Sequence, residues 1–301
     1  MTVTPWAEGD GWRIREMICR AGPASPAFEE RHDWTGLALV VSGYFTYRSL
    51  RGREWLVPGA WLLCTAGTCF ECGHDHGQGD VCVSLQFRDD RLQHALASLR
   101  GVAPEAFPSH RLPPLNATLP WAVRCMALRE SGEDAYALAM EVLMGMLCLA
   151  HTTGTPARLP GLELAIVSAQ AKAIDAAPHE DWSLDALQAR SGLGPFVLLR
   201  AFRRLLGVTP YQYVLRQRLQ SAAGMLLRDR RPVQNVALEC GFGDLSEFHR
   251  RFRRVFGTTP ARYRDHYARA RAVATCRGGT RGAWPGSDEA QRQARDITEK
   301  R

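Results

Sequence analysis

The chain has 301 residues, 46% of them hydrophobic and 23% charged, with a formal net charge of +7. These values exclude disordered and fibrous classes and leave room for two domains with cores of their own. The most apolar run, AYALAMEVLMGMLCLAH, is interrupted by Glu141 and is too short to span a bilayer.

The opening MTVTPWAEGDGWRIRE lacks the apolar stretch of a secretory signal. With nine cysteines, an odd number, the expectation is a cytoplasmic protein with reduced thiols. Charge is unevenly placed. Residues 1–158 carry 14 basic against 17 acidic side chains, whereas residues 159–270 carry 17 against 10. The basic excess therefore sits in the second half, as a polyanion-binding region requires. Only Lys172 and Lys300 are lysines; the rest of the basic groups are arginine forks.

In chain order, residues 28 to 87 are β-rich, with Gly and Pro breaks at short intervals, the texture of an antiparallel barrel or sandwich. SGYFTYRSLRGREWLVPGAWLL predicts a strand, a turn at Arg51–Gly52, a second strand and a turn at Pro58–Gly59. VCVSLQF alternates, placing Val81, Val83, Leu85 and Phe87 on one face.

Between them lies CFECGHDHGQGDVC, and it admits three readings. If extended, it directs Cys72, His74 and His76 to one side, where Cys69 or Cys82 would complete a set of soft and borderline metal ligands. A reactive thiol is the second reading. The third is a hairpin tip with no ion, since Gly, His and Asp suit turns and Cys packs as a small hydrophobe. His32, on an earlier candidate strand, stands without the second His and the Glu that a cupin enzyme's metal set would need. Two helices follow, at about 119–130 and 134–151, as a buried or dimer-forming pair.

The second half contains a repeat. LLRAFRRLLGVTPYQYVLR from Leu198 and FHRRFRRVFGTTPARYRDH from Phe248 align at a shift of 50 residues. One supersecondary unit is used twice. Each copy parses as helix-turn-helix. In the first, Ser183 caps LDALQAR and Gly194–Pro195 opens a helix whose Leu198, Phe202 and Leu205 face inward. In the second, Ala237 is small at the helix crossing, Gly241 turns and Asp244 caps, with Phe248, Phe252 and Val255 inward. The intervening TPYQYVLRQRLQSAAGMLLRD predicts a long amphipathic spacer helix with Val214, Leu219, Ala222 and Leu226 toward the core. About 20 residues of helix span roughly 30 Å, close to the roughly 34 Å between successive major grooves on one face of B-DNA.

The motif SGLGPFVLLRAFRRLLGVTP, and more specifically ALECGFGDLSEFHRRFRRVFGTTPARYR, resembles the two-unit DNA-binding domain of AraC-family transcription regulators. Ala237, Gly241–Phe242, Asp244, Ser246, Phe248, Phe252, Gly257, Thr259–Pro260 and Tyr263–Arg264 match that family's pattern. Three positions depart from it: Gln188 before the first turn, and Leu245 and Glu247 on the second recognition helix. The resemblance implies an α+β chain. A cupin-like β-barrel with helices, residues 1–158, would sense an effector and dimerise. An all-α DNA-binding domain, residues 159–270, would hold helix-turn-helix units at about 182–206 and 232–256. A largely disordered tail, 271–301, would follow.

It also implies DNA contacts from Phe196, Leu199, Arg200 and Arg203 in the first unit and from Leu245, Ser246, Glu247, Arg250 and Arg251 in the second. Arg200 and Arg250 would read bases, while Arg203, Arg204, Arg253 and Arg254 would meet phosphate. Expected partners are double-stranded DNA, an effector, RNA polymerase and a second copy of the chain, with no membrane and no catalytic role. The alternatives are a metal or thiol sensor of the same type, holding an ion at Cys69, Cys72, His74 and His76, or a cupin-type metalloenzyme fused to a DNA-binding domain.

Overall fold

The computed structural model describes residues 1–25, 29–74, 79–98, 107–150, 161–228 and 230–277. Among the described residues, ten strands form the first part: β1 (Thr2–Gly9), β2 (Trp12–Cys19), β3 (Glu29–Arg31), β4 (Thr35–Gly43), β5 (Phe45–Ser49), β6 (Gly52–Leu56), β7 (Trp61–Cys64), β8 (Cys69–Gly73), β9 (Asp80–Phe87) and β10 (Arg111–Leu112). They build two antiparallel sheets, ordered β1-β2-β9-β4-β7-β10 and β3-β8-β5-β6. The sandwich expected for residues 28–87 thus gains two strands at the N-terminus. β1 is an edge strand, which tolerates Pro5, and its register shifts between Pro5 and Ala7.

Strand alternation gives the larger sheet two buried faces. Ile14, Leu37, Leu39, Trp61, Val83 and Leu85 face the helices α2 (Leu119–Ser131) and α3 (Ala135–Ala150), the latter contributing Leu138, Val142 and Met146. Ala38, Val40, Leu62, Cys64 and Cys82 face the smaller sheet, where Phe45, Tyr47 and Trp55 lie. In β9, Cys82 packs on one side while Val83, Leu85 and Phe87 pack on the other. A further helix, α1 (Asp89–Ser98), follows β9.

The second part is helical: α4 (Gly161–Ala176), α5 (Leu184–Ser191), α6 (Pro195–Leu206), α7 (Pro210–Arg228), α8 (Val233–Glu239), α9 (Leu245–Phe256) and α10 (Pro260–Arg277). α10 runs past the expected domain end at 270, and residues 278–301 of the expected tail lie outside the described residues.

Packing does not stop at position 158. The core between the sheets continues into Val167, Leu198, Phe202 and Tyr213. Leu119 and Val123 of α2 join Leu219, Val236, Phe248 and Phe252 in the core of the second helical unit. Three polar ties reinforce this contact. Buried Arg111 donates to the carbonyls of Trp55 (3.1 Å) and Leu205 (2.8 Å). Buried Arg216 donates to those of Leu115 (3.1 Å) and Gly59 (3.0 Å). The Asp175 carboxylate accepts from the Tyr44 and Tyr213 hydroxyls and from Gln217. Burial raises its pKa to about 6 even though these donors and nearby Arg216 pull it down.

Candidate nucleic-acid interface

The two helix-turn-helix units are built by local chemistry that the sequence displays. Ser183 accepts from the Ala186 amide (3.3 Å) at the start of α5, and Pro195 occupies the first turn of α6. Asp244 accepts from the Ser246 amide (2.7 Å) at the start of α9. Between α8 and α9, Gly241 sits at φ 82°, and a Cβ there would lie 2.7 Å from the His179 carbonyl oxygen. Only glycine fits that turn. In the first unit Leu187, rather than Gln188, takes the buried place at the crossing; the Gln188 amide turns back to the Leu184 carbonyl (3.3 Å).

Burying Leu198, Ala201, Phe202 and Leu205 on α6, and Phe248 and Phe252 on α9, fixes which faces remain outside. On α6 that face carries Phe196, 84% exposed, and the exposed Arg200 and Arg203, with Leu199 half-buried. On α9 it carries Leu245, 40% exposed, with Ser246 and Arg250 exposed and Glu247 and Arg251 half-buried. Each position expected to meet DNA therefore has at least part of its side chain at the surface of one of these two helices. Leu245, Ser246, His249, Arg250, Arg253 and Arg254 line one shallow concavity. His249 is an addition to the residues read from the sequence.

The α9 face has its own charge arrangement. Glu247 accepts from Arg250 and, at 2.6 Å, from Arg251. Arg251 also reaches the Tyr211 hydroxyl (3.0 Å) and packs over its ring. The two guanidinium groups, Arg251 foremost, hold the Glu247 carboxyl below the usual carboxylate range. The acidic residue thus orients two arginines instead of simply repelling phosphate.

One residue that sequence reasoning missed sets the spacing of the two units. Arg218 on α7 donates to the carbonyls of Pro178 (2.7 Å), Glu180 (2.7 Å) and Gly241 (2.8 Å). It ties the loop before the first unit to the turn of the second. As an Arg on an amphipathic helix it carries no local signal of that role.

In the Cys/His-rich stretch, Cys69 and Cys72 lie on β8, Cys69 exposed and Cys72 half-buried against the inter-sheet core. His74 follows the strand and is buried, while His76 lies outside the described residues. His74 is grouped with Cys19 and Asp80 rather than with Cys69 and Cys72. Because His76 lies outside the described residues, the expected set of Cys69, Cys72, His74 and His76 stands as an expectation beside this group. His32 stacks on Phe70 with ring centroids 4.0 Å apart and shares a hydrogen bond with the Tyr47 hydroxyl (3.1 Å). Burial lowers its pKa to about 4.

A family model described as a helix-turn-helix domain matches residues 187–266. Regulatory protein SoxS of Salmonella typhimurium is 33% identical over 91 residues, 30% of this chain and 85% of SoxS. HTH-type transcriptional activator RhaS of Escherichia fergusonii is 25% identical over 254 residues, 79% of this chain and 87% of RhaS. A solved probable AraC family transcriptional regulator from Rhodopseudomonas palustris is 29% identical, covering 34% of this chain and 96% of that one, with a TM-score of 0.32. The chain spans only about a quarter to a third of the length of the first curated relatives it matches.

Proposed function

The chain belongs to the AraC family of transcriptional regulators, and from that premise we propose that it is a sequence-specific DNA-binding regulator in which α6 and α9 enter successive segments of the major groove. The observation that carries this reading is the pair of capped helices with matched exposed faces, Phe196–Arg200–Arg203 and Leu245–Ser246–Arg250, joined through the 19-residue α7. A helix of that length spans roughly 28 Å, the right scale for placing two helices on one side of a duplex. Arg200 and Arg250 read bases, Phe196, Leu199 and Leu245 meet thymine methyls, and Arg203, Arg253 and Arg254 contact phosphate. Glu247 aims Arg250 and Arg251.

The β-rich part serves as the sensing and dimerising part, shifting the population of DNA-competent arrangements when an effector binds. The chain works in the cytoplasm beside RNA polymerase and has no catalytic role of its own. Among the described residues no helix is long and apolar enough to cross a membrane.

The test is fluorescence anisotropy with a duplex selected from a random pool, beside a scrambled duplex. Arg250→Ala should weaken the selected site by about 1–3 kcal/mol and leave scrambled DNA nearly unaffected. Equal losses on both duplexes would reduce Arg250 to a phosphate contact. No preference for any selected sequence would overturn the reading.

A further inference from the structure

Three metal-binding side chains converge at one end of the sandwich. Cys19 closes β2 and Asp80 opens β9, and the two residues are directly opposed in the antiparallel ladder. Opposed residues project from the same face of a sheet, with Cβ atoms about 5 Å apart. His74 arrives from the other sheet, one residue after β8 ends. The ligand atoms of the three all lie within 4.8 Å of one another, the one such group among the described residues.

The geometry is held tightly. Asp80 is flanked in the ladder by Cys19 on one side and Gly43 on the other. The Gly79 amide donates to the Ala21 carbonyl (2.7 Å), and a Cβ on Gly79 would stand 2.3 Å from the Cys19 carbonyl oxygen. The chain ends bearing Cys19 and Asp80 are therefore pressed together where only glycine passes. The side chains of His74 and Asp80 are 4% and 10% exposed, and Cys19 is half-buried, so the group opens to solvent on the thiol side.

His74 and Asp80 form a long hydrogen bond, and their separation is also one that two ligands of a shared ion can take. His74 Nε2 and Asp80 Oδ1 are 3.4 Å apart. A charge-assisted hydrogen bond between such groups closes to about 2.7–2.9 Å. A tetrahedral Zn²⁺ with Zn–N and Zn–O bonds of about 2.0–2.2 Å sets its nitrogen and oxygen ligands about 3.4 Å apart. The thiolate, with Zn–S about 2.3 Å, needs to lie about 3.6 Å from the other two, so within the 4.8 Å limit Cys19 has at most about 1.2 Å to close.

We propose that Cys19, His74 and Asp80 form a site for one divalent transition metal of the Zn²⁺ class, with a fourth position open to water or a small ligand. The mixed thiolate, imidazole and carboxylate set suits Zn²⁺ and Co²⁺ and disfavours Mg²⁺ and Ca²⁺, which take oxygen ligands. Binding displaces the Cys19 thiol proton to solvent, so affinity rises with pH. The ion bonds β2 and β9 of the larger sheet to the end of β8 in the smaller one. This proposal stands apart from the DNA-binding reading and fails or holds independently of it.

The experiment uses the full chain, untagged, stripped with chelator under reducing conditions and then titrated with Co²⁺. One equivalent per chain should bind, with a thiolate-to-cobalt charge-transfer band that Zn²⁺ displaces. Cys19→Ser should abolish the band, and His74→Gln and Asp80→Asn should each weaken binding roughly tenfold or more. Cys72→Ser should leave it unchanged. Absence of a stoichiometric site, survival of the band in Cys19→Ser, or its loss in Cys72→Ser instead would overturn the assignment. Should a ligand variant fail to fold, the wild type decides the matter: Zn²⁺ must raise its melting temperature, and an unmoved melt refutes the site.

Discussion

Replacing Arg216 measures how strongly the two parts are tied. Its guanidinium is fully buried and donates to the carbonyls of Leu115 and Gly59, both in the first part. Each hydrogen bond from a charged donor is worth about 1.5–3 kcal/mol, so Arg216→Met forfeits about 3–6 kcal/mol. Burial, set against the favourable Tyr213 and Asp175, has lowered its pKa from 12.5 to about 10. That shift corresponds to about 3 kcal/mol of penalty on the charged form, which methionine escapes. The net cost of Arg216→Met is then about 0–3 kcal/mol. Arg216→Ala removes about 75 Å³ more side-chain volume, adding about 2 kcal/mol at 24 cal/mol per Å³. Urea unfolding followed by tryptophan fluorescence and by far-ultraviolet circular dichroism should show one coincident transition for the wild type. The order of stability should be wild type, Met, then Ala. An alanine variant within about 0.5 kcal/mol of wild type would refute a bridging role, since that is the spread of ordinary surface substitutions.

Two buried groups should give opposite pH responses. Asp175, raised to about 6 by burial, favours the protonated form, so its contribution to stability is lost as pH rises from about 4 through 6, by up to about 3 kcal/mol. His32, lowered to about 4 chiefly by burial, favours the neutral form, so its contribution is lost as pH falls from about 6.5 through 4, by a similar amount. Unfolding free energies at pH 4.5 and 7 should show Asp175→Asn steepening the loss on acidification and His32→Gln flattening it; parallel shifts in both variants would sink the argument. Glu247→Gln should free Arg250 and Arg251 and steepen the logarithmic salt dependence of binding to random DNA by about 1–2, at about 0.9 per phosphate contact. An unchanged slope would show that Glu247 does not restrain them.

The helical part was legible because its determinants are local. A cap at Ser183, a Pro at 195, a glycine turn at 241 and apolar stripes through Phe202 and Phe252 each act within a few residues, and the 50-residue repeat displays them twice. β1 and β2 escaped because an edge strand containing Pro5 and a strand reading WRIREMIC look polar until β9 pairs with the second of them. Nothing local in the sequence marks Arg111, Arg216 or Arg218. Each satisfies backbone carbonyls between 23 and 157 residues away along the chain, which composition does not reveal. Alternation along CFECGHDHG does turn Cys72 and His74 inward, but ladder register brings Cys19 and Asp80 to His74, and no spacing within the stretch encodes that register.

The placement of α2 bears on how such regulators diversify. Leu119 and Val123 complete the hydrophobic interior around Phe248 and Phe252, although the chain reaches α2 long before either helix-turn-helix unit. A chimera that exchanges the β-rich part for a relative's, cut between α3 and α4, would also exchange one wall of the second DNA-reading unit. A recombinant made at that junction must keep its α2 compatible with α7, α9 and α10. A graft that keeps the native α2 with the helices it covers preserves the inherited fit.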